Sequence, residues 1–493
     1  MAANRATIHD LPQSLLGDVL ARAPFVQRHG SLARVCRAWR QLVLSPQLLR
    51  RVEVHLQFRD PCLYDYGTDG SWVLDQEHDP AASLLCSLTF FPWLEAHAAP
   101  HVEQLTIRTR RLVFDIDDYE ESLEVVARRL RDSLGRCDVL THLTIALRQG
   151  PLHFHASDLA AAPRLRSLSL TISDLEHPDS SGLLEVDGLL ALTALESLTL
   201  VGAALDLGGT SLAPKWQSWA RPRGPKPHDG LPPSLTSLAL DGYADFKSSV
   251  RRFLPQQLTA LSSLRRLALG NVAADSPAAY IVLSRVSSLE ELTLFRCSHL
   301  PTCLPQLSSL HALRLDSTPR GLAFPDEAAG ALEQLAAGLQ ALGPLAHLTH
   351  LSLEGMPELP PTITGLTQLR ALYWGAERPR EPRLPAGPWT AGLQQLALSC
   401  HVAANSLAVL SAATRLECLA VFGSSSYENK DAAAELQVAA WAAKHPGLRR
   451  LAVSNGNSCE RREHLDAGLA QLRLPPTLSI EQGSALLAQL QNV

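Results

Sequence analysis

Residues 286–297 read VSSLEELTLFRC, and the spacing within this stretch decides the fold. Leu289, Leu292 and Leu294 form LxxLxL, with Val286 three residues before them and Cys297 three after. Successive side chains of a strand point to opposite faces, so the leucines share one face and the intervening residues the other. One such strand has nothing to bury its leucines against. It is stable only beside others like itself, and period and copy number therefore set the architecture.

The pattern recurs along most of the chain. VEQLTI begins at 102, LTHLTI at 140, LRSLSL at 165, LESLTL at 195 and LTSLAL at 235. LRRLAL at 264, LEELTL at 289, LHALRL at 310, LTHLSL at 348 and LRALYW at 369 follow, then LQQLAL at 393, LECLAV at 416 and LRRLAV at 448. That is about thirteen copies, spaced by about 21 to 40 residues. RRVEVHLQF, with Val52, Val54, Leu56 and Phe58 alternating, predicts a strand that opens the sheet, and TLSIEQGSALLAQL predicts a last strand and a capping helix. The repeat resembles the leucine-rich-repeat family. The resemblance implies an α/β fold: a curved solenoid over 102–493, with a parallel concave sheet and a mixed helix, 3₁₀ and loop convex face.

Between the rungs, 117–137 and 431–447 predict amphipathic helices and PTITGLTQL a 3₁₀-like turn. The family usually places Asn or Cys three residues past the last leucine. Here Cys297 fits, whereas Ala203, Tyr243, Val272, Met356 and His401 stand at equivalent places, so regular loops are not expected after the strands. Two Pro/Gly-rich insertions, 206–233 and 375–392, read as disordered or surface-packed ahead of partner-gripping.

The N-terminal residues 5–50 have a different period. Leu11, Leu15, Leu16, Val19 and Leu20 fall on one helical face behind Pro12, a residue suited to a first turn. Leu32, Val35, Cys36, Trp39, Leu42 and Val43 do the same in a second segment that Ser31 would cap and Pro46 would end. So small a helical unit is marginal alone. Periodicity leaves two roles equal, a cap on the open end of the repeat core or a partner-binding module. Residues 51–101 form the junction and first solenoid elements.

The pair Leu11-Pro12, the pairs Leu15-Leu16 and Val19-Leu20, and the run Val35-Cys36-Arg37-Ala38-Trp39-Arg40 resemble the F-box motif over about residues 8–50. Ser14 replaces an acidic residue usual in the family, and 23–30 lacks its common Asp-Leu pair. The resemblance implies docking on the Skp-type adaptor of SCF ubiquitin ligases, and through it on a cullin and a RING protein. Matching positions make Leu11, Pro12, Leu15, Leu16, Val19, Leu20, Leu32, Val35, Cys36 and Trp39 the adaptor-binding candidates. Some of the ten must instead hold the module together.

Composition narrows the function further. Hydrophobic content of 46% with 19% charge is that of a folded chain, and a net charge of -5 offers no overall basic footprint for nucleic acid. Nine cysteines without a CxxC pair, and no N-x-[ST] sequon, favour reduced thiols in the cytoplasm or nucleus. The first residues lack the apolar run of a signal peptide, and no stretch of about 18 apolar residues suggests a membrane partner. No P-loop, GxGxxG, GxSxG or HExxH is present, nor a RING or HECT-like element. His153 and His155, and His347 and His350, lack a second ligand pair, and the acidic run Asp65–Asp79 lacks EF-hand spacing. Neither a metal nor another cofactor is expected.

The site expectation is therefore a surface. Period two turns the x positions of LxxLxL outward, and around 264–316 these include Arg265, Arg266, Glu290, Glu291, Phe295, Arg296 and Arg314, with Tyr373 nearby. Such a face could grip an acidic or phosphorylated peptide of a target protein, or be a solvated face of cross-strand pairs. The leading reading is a non-catalytic substrate receptor of an SCF ligase. The other is a non-degradative scaffold, cytoskeletal or ciliary, capped by its helical N-terminus.

Overall fold

The computed structural model describes residues 12–23, 25–30, 32–56, 64–66, 72–74, 90–109, 128–147, 153–155, 159–172, 182–185, 189–201, 203–206, 231–241, 258–270, 283–295, 300–316, 339–343, 345–356, 358–375, 383–422, 430–454 and 478–482. The chain divides into two compact units, Met1–Phe253 and Leu254–Val493.

The first unit opens with four short helices: α1 (Gln13–Arg22), α2 (Phe25–Gly30), α3 (Arg37–Val43) and α4 (Pro46–Leu49). Pro12 stands just ahead of α1, where a missing N–H costs no helical bond, and its carbonyl accepts from the Leu16 N–H at 3.0 Å. The second amphipathic segment is not one helix. A 3₁₀ turn at Leu32–Arg34 ends at Val35, Cys36 is extended, and α3 begins after it. Pro46 opens α4 rather than merely stopping its predecessor, since Pro fits the first helical turn. Leu16, Leu20, Trp39, Val43 and Leu48 form the core of this module, flanked by half-buried Leu32, Ala33, Cys36 and Leu42.

The predicted opening strand follows. Arg51–Leu56 pairs in parallel with Gln104–Thr109, and the sheet of this unit continues through His142–Leu147, Ser167–Ile172, Ser197–Val201 and Ser237–Asp241. In the second unit the parallel strands are Arg266–Gly270, Glu291–Phe295, Ala312–Asp316, His350–Glu354 and Ala371–Gly375, then Gln395–Ser399, Cys418–Phe422, Arg450–Ser454 and Ser479–Gln482. Every predicted rung is a strand, as are both terminal additions. Leucine meets leucine in register: Leu292 lies between Leu267 and Leu313, and Leu294 between Leu269 and Leu315. All of these are buried.

The register is set at the strand entrance. The N–H groups of Glu290 and Glu291 both donate to the Arg265 carbonyl, and those of His311 and Ala312 to the Glu290 carbonyl. Ahead of each strand, apolar residues three apart re-enter the core through tight turns, as where Leu289 N–H reaches the Val286 carbonyl and Val286 N–H that of Leu283. The return segments include 3₁₀ turns at Leu304–Gln306, Leu339–Leu342 and Pro361–Gly365, and helices Cys400–Asn405 and Lys430–Ala442. The 117–137 helix is observed at 128–134; its earlier residues lie outside the described ones.

Three differences from the sequence reading stand out. His153–His155, Gly182–Glu185 and Ala203–Asp206 form a second, three-stranded parallel sheet in stretches where no strand was expected. Tyr64–Tyr66 and Trp72–Leu74 pair antiparallel in the junction, where no such pair was expected. In the second Pro-rich insertion, the described part packs: Trp389 is fully buried in the turn Pro388–Gly392, with its indole N–H on the Pro385 carbonyl at 3.0 Å. Most of the first insertion lies outside the described residues. After Leu353 the chain turns through Gly355 at φ 75°, a left-handed conformation open to glycine, and the Met356 carbonyl accepts from the Trp374 indole at 2.9 Å.

Candidate functional site

The ten adaptor candidates separate by burial. Leu16 (6% exposed), Leu20 (1%) and Trp39 (7%) are inside the module's own core. Leu32 and Cys36 are half-buried against it. Pro12 is exposed, and Leu15 (51%), Val19 (47%) and Val35 (53%) are three of the four large apolar side chains that stand exposed among the described residues. Leu11 lies outside the described residues.

Helix geometry explains the split on α1. Leu16 and Leu20 are one turn apart and face α3, while Pro12, Leu15 and Val19 follow the neighbouring stripe at i, i+3, i+7. On the second segment, the break at Cys36 is decisive. It lets Trp39 turn inward and leaves Val35 at the surface, a division that an unbroken helix would not produce.

The same module also closes the end of the first sheet. Helix α2 packs on the strand Arg51–Leu56, and Leu49 of α4 is the fully buried first leucine of that rung. Arg28 is buried, and the His29 ring meets Trp93 edge-on at 5.0 Å. Burial, reinforced by neighbouring Arg28, lowers the His29 imidazole to about 4.

On the outward sheet face of the second unit, the candidate charges are largely engaged with one another. Arg265 donates to Glu290 across the strands at 3.2 Å. Arg314 lies 5.5 Å from the centre of the Phe295 ring and 3.8 Å from Glu354. Arg266 is exposed and Glu291 half-buried, and neither has a charge partner among the described residues. Arg296 lies outside them. Tyr373 is not an exposed aromatic: it is 6% exposed, stacked on Phe422 at 5.8 Å, and clustered with Ala397, Ala420 and Ala452. These four are adjacent in register on successive strands. Sequence reading missed this buried outward row, although the repeated alanine in LAL, LAV and LAV is its signature.

Other chemistry is sparse. Cys36, Cys137, Cys303, Cys400 and Cys418 are free thiols. Burial pushes Cys137 up to about 12 and raises Cys303, so neither is a ready nucleophile. His153 and His155 belong to the small second sheet. His350 bonds the Thr349 hydroxyl through Nδ1 at 2.8 Å and is lowered by burial, then by His311 and Arg370. Among the described residues no group of three His, Cys, Asp or Glu is placed to hold a metal ion, and no helix is long and apolar enough to cross a membrane.

Strand register and repeat spacing thus define a leucine-rich-repeat protein with a helical module at one end. The F-box-like family model matches residues 8–55, the segment that contains this module. The chain thus carries an F-box-like segment in front of leucine-rich repeats. Among solved structures, similar ones include a leucine-rich-repeat protein of Leptospira interrogans, at 16% identity over 78% of this chain and 90% of that one, with a TM-score of 0.35. The functional domain of InlJ from Listeria monocytogenes is 15% identical over 72% of this chain and 63% of that one, with a TM-score of 0.30. The mouse RP105/MD-1 complex gives 14% over 78% and 67%, with a TM-score of 0.31. At these values the fold assignment rests on the repeats themselves. No curated protein sequence matches significantly.

Proposed function

We propose that this chain is the substrate-recognition subunit of an SCF-type ubiquitin ligase. Its F-box binds the Skp-type adaptor, and its repeats hold a target protein for ubiquitination and degradation. The observation that supports this most is the exposure of Leu15, Val19 and Val35 on an F-box-like module whose core is otherwise complete. An apolar side chain left in water by a finished core gains about 1.5–3 kcal/mol when a partner buries it. No catalytic group is required of this chain. Holding a target beside the conjugating enzyme raises the effective concentration of its lysines.

Capping and adaptor binding use different faces. Helix α2 and Leu49 close the sheet end, and Pro12, Leu15, Val19 and Val35 remain for the adaptor. The packed α2 also fits the scaffold reading, in which the module is a cap alone. Purified chain and adaptor decide between them. The wild type should bind, and Leu15→Asp and Val35→Asp should each weaken binding at least about tenfold with the helical circular dichroism unchanged. A well-folded wild type that fails to bind the adaptor sinks the ligase reading.

For the target, Arg266 and Glu291 are the groups we assign first. Arg265, Glu290, Phe295 and Arg314 shape the surface around them through contacts already made, and Tyr373 supports it from within. A purely acidic peptide suits this face less well than a target of mixed charge.

A further inference from the structure

The F-box module carries a charge that the chain as a whole does not. The protein's formal net charge is -5, yet residues 12–45 contain Arg22, Arg28, Arg34, Arg37 and Arg40 against a single acid, Asp18. Arg28 is buried. The other four are exposed, and none of their guanidinium groups has an ion pair or hydrogen bond among the described residues. Elsewhere in the first unit Arg50, Arg108 and Arg166 are matched, with Glu103 at 3.3 Å, Glu53 at 3.0 Å and Glu196 at 3.6 Å, while Arg51, Arg129 and Arg164 are exposed singly rather than in a group of four.

Placement ties these charges to the apolar anchors. Arg22 extends the stripe of Pro12, Leu15 and Val19 by one more turn of α1, three residues beyond Val19. Arg34 is the chain neighbour of exposed Val35, and Arg37 opens α3 two residues after it. Unpaired cations at this density repel one another, and a complementary partner relieves that repulsion. We infer that the adaptor meets this module through an apolar groove edged by carboxylates, and that Arg22, Arg34 and Arg37 steer the encounter. This rests on the adaptor reading above and adds the chemistry of the partner's rim and the rate-setting role of the arginines.

Long-range attraction between exposed charges acts on association and is screened by salt, whereas buried apolar anchors act on dissociation. The test is a stopped-flow or surface-binding measurement of the full chain with purified Skp-type adaptor at 50 and 500 mM salt. The wild-type association rate should fall roughly tenfold or more across that range while dissociation changes little. Arg34→Glu/Arg37→Glu should lower the 50 mM association rate by about as much and flatten its salt dependence. Leu15→Asp should act mainly by faster dissociation. Arg34→Lys/Arg37→Lys should keep the wild-type rate, which separates charge from a structural role of the guanidinium. Adaptor binding that is tight but indifferent to salt and charge reversal overturns this inference and leaves the adaptor reading standing. Absence of adaptor binding by folded wild type removes both. Reversal that abolishes binding to anionic vesicles or duplex DNA but not to the adaptor assigns the arginines to another class of partner and also overturns it.

Discussion

The outward sheet faces of the two units share one strand architecture and differ in chemistry. In the first unit the residue between the two buried strand leucines, or their equivalents, is Glu53 on the opening strand and then Thr106, Thr144, Ser169, Thr199 and Ala239 on successive strands. Ser167, Ser197 and Ser237 stand beside them, and from Thr106 onward all of these are half-exposed. In the second unit the same row is Ala268, Thr293, Arg314, Ser352, Tyr373, Ala397, Ala420 and Ala452. It is polar from Thr293 to Ser352, and Tyr373 to Ala452 form a buried cluster. The inward leucines tolerate no such variation, because removal from water is the same requirement in every rung. The outward row is released from that requirement and can diverge into a hydroxyl wall or a charged and aromatic face.

Substitutions at matched positions test how far this contrast holds. The largest effect should come from the inward positions and should be alike in both units: Leu198→Ala and Leu292→Ala should each cost about 2–5 kcal/mol, read by urea unfolding. A loss in one unit only would break the equivalence of the two cores. Next, Tyr373→Ala should cost about 2–4 kcal/mol by opening a cavity over Ala397 and removing the Phe422 stack, whereas Thr199→Ala at the matched row should stay within about 0.5 kcal/mol. Equal small effects would mean that the Tyr373 cluster contributes packing only in appearance.

A smaller effect is pH-dependent and confined to the first unit. His29 is lowered from 6.5 to about 4, so the folded state binds its proton less readily than the unfolded state. Its contribution is therefore fully present above about pH 6.5 and is lost as pH falls from there toward 4. Thermal unfolding of a His29→Gln variant should be flatter than wild type across that window, with no change near pH 8. The smallest effect belongs to the Arg265–Glu290 pair, which is largely solvated. A double-mutant cycle should return about 0.2–1 kcal/mol of coupling, decreasing with salt. A much larger coupling would identify the second unit's charges as structural and disqualify them as a recognition surface.

Legibility followed the range of the interaction. Leu289, Leu292 and Leu294 were readable because a period-two strand that buries leucines has one physical solution, repeated down the chain. The same logic exposed Val52, Val54 and the final SIEQ strand. The short sheet of His153–His155, Gly182–Glu185 and Ala203–Asp206 was not readable, since three or four residues hold no period and depend on neighbours about 20 to 30 residues away. Among the site residues, α1 showed an apolar stripe wide enough to contain both Leu16 and Leu15, and nothing local said which side would meet Trp39.

By itself the sequence determined the repeat architecture, the helical module in front of it, and the set from which the proposed adaptor face is drawn. These follow from periodicity and burial, which are local and additive. Tertiary structure alone decided which members of that set are free. The break at Cys36 sends Trp39 inward and leaves Val35 outside. It also decided that Tyr373 supports a surface rather than lining one, and that the Arg265 and Arg314 charges are already answered by Glu290 and Glu354. Those outcomes depend on what packs across strands and helices distant in the chain, where exposure is a property of the neighbours and not of the residue.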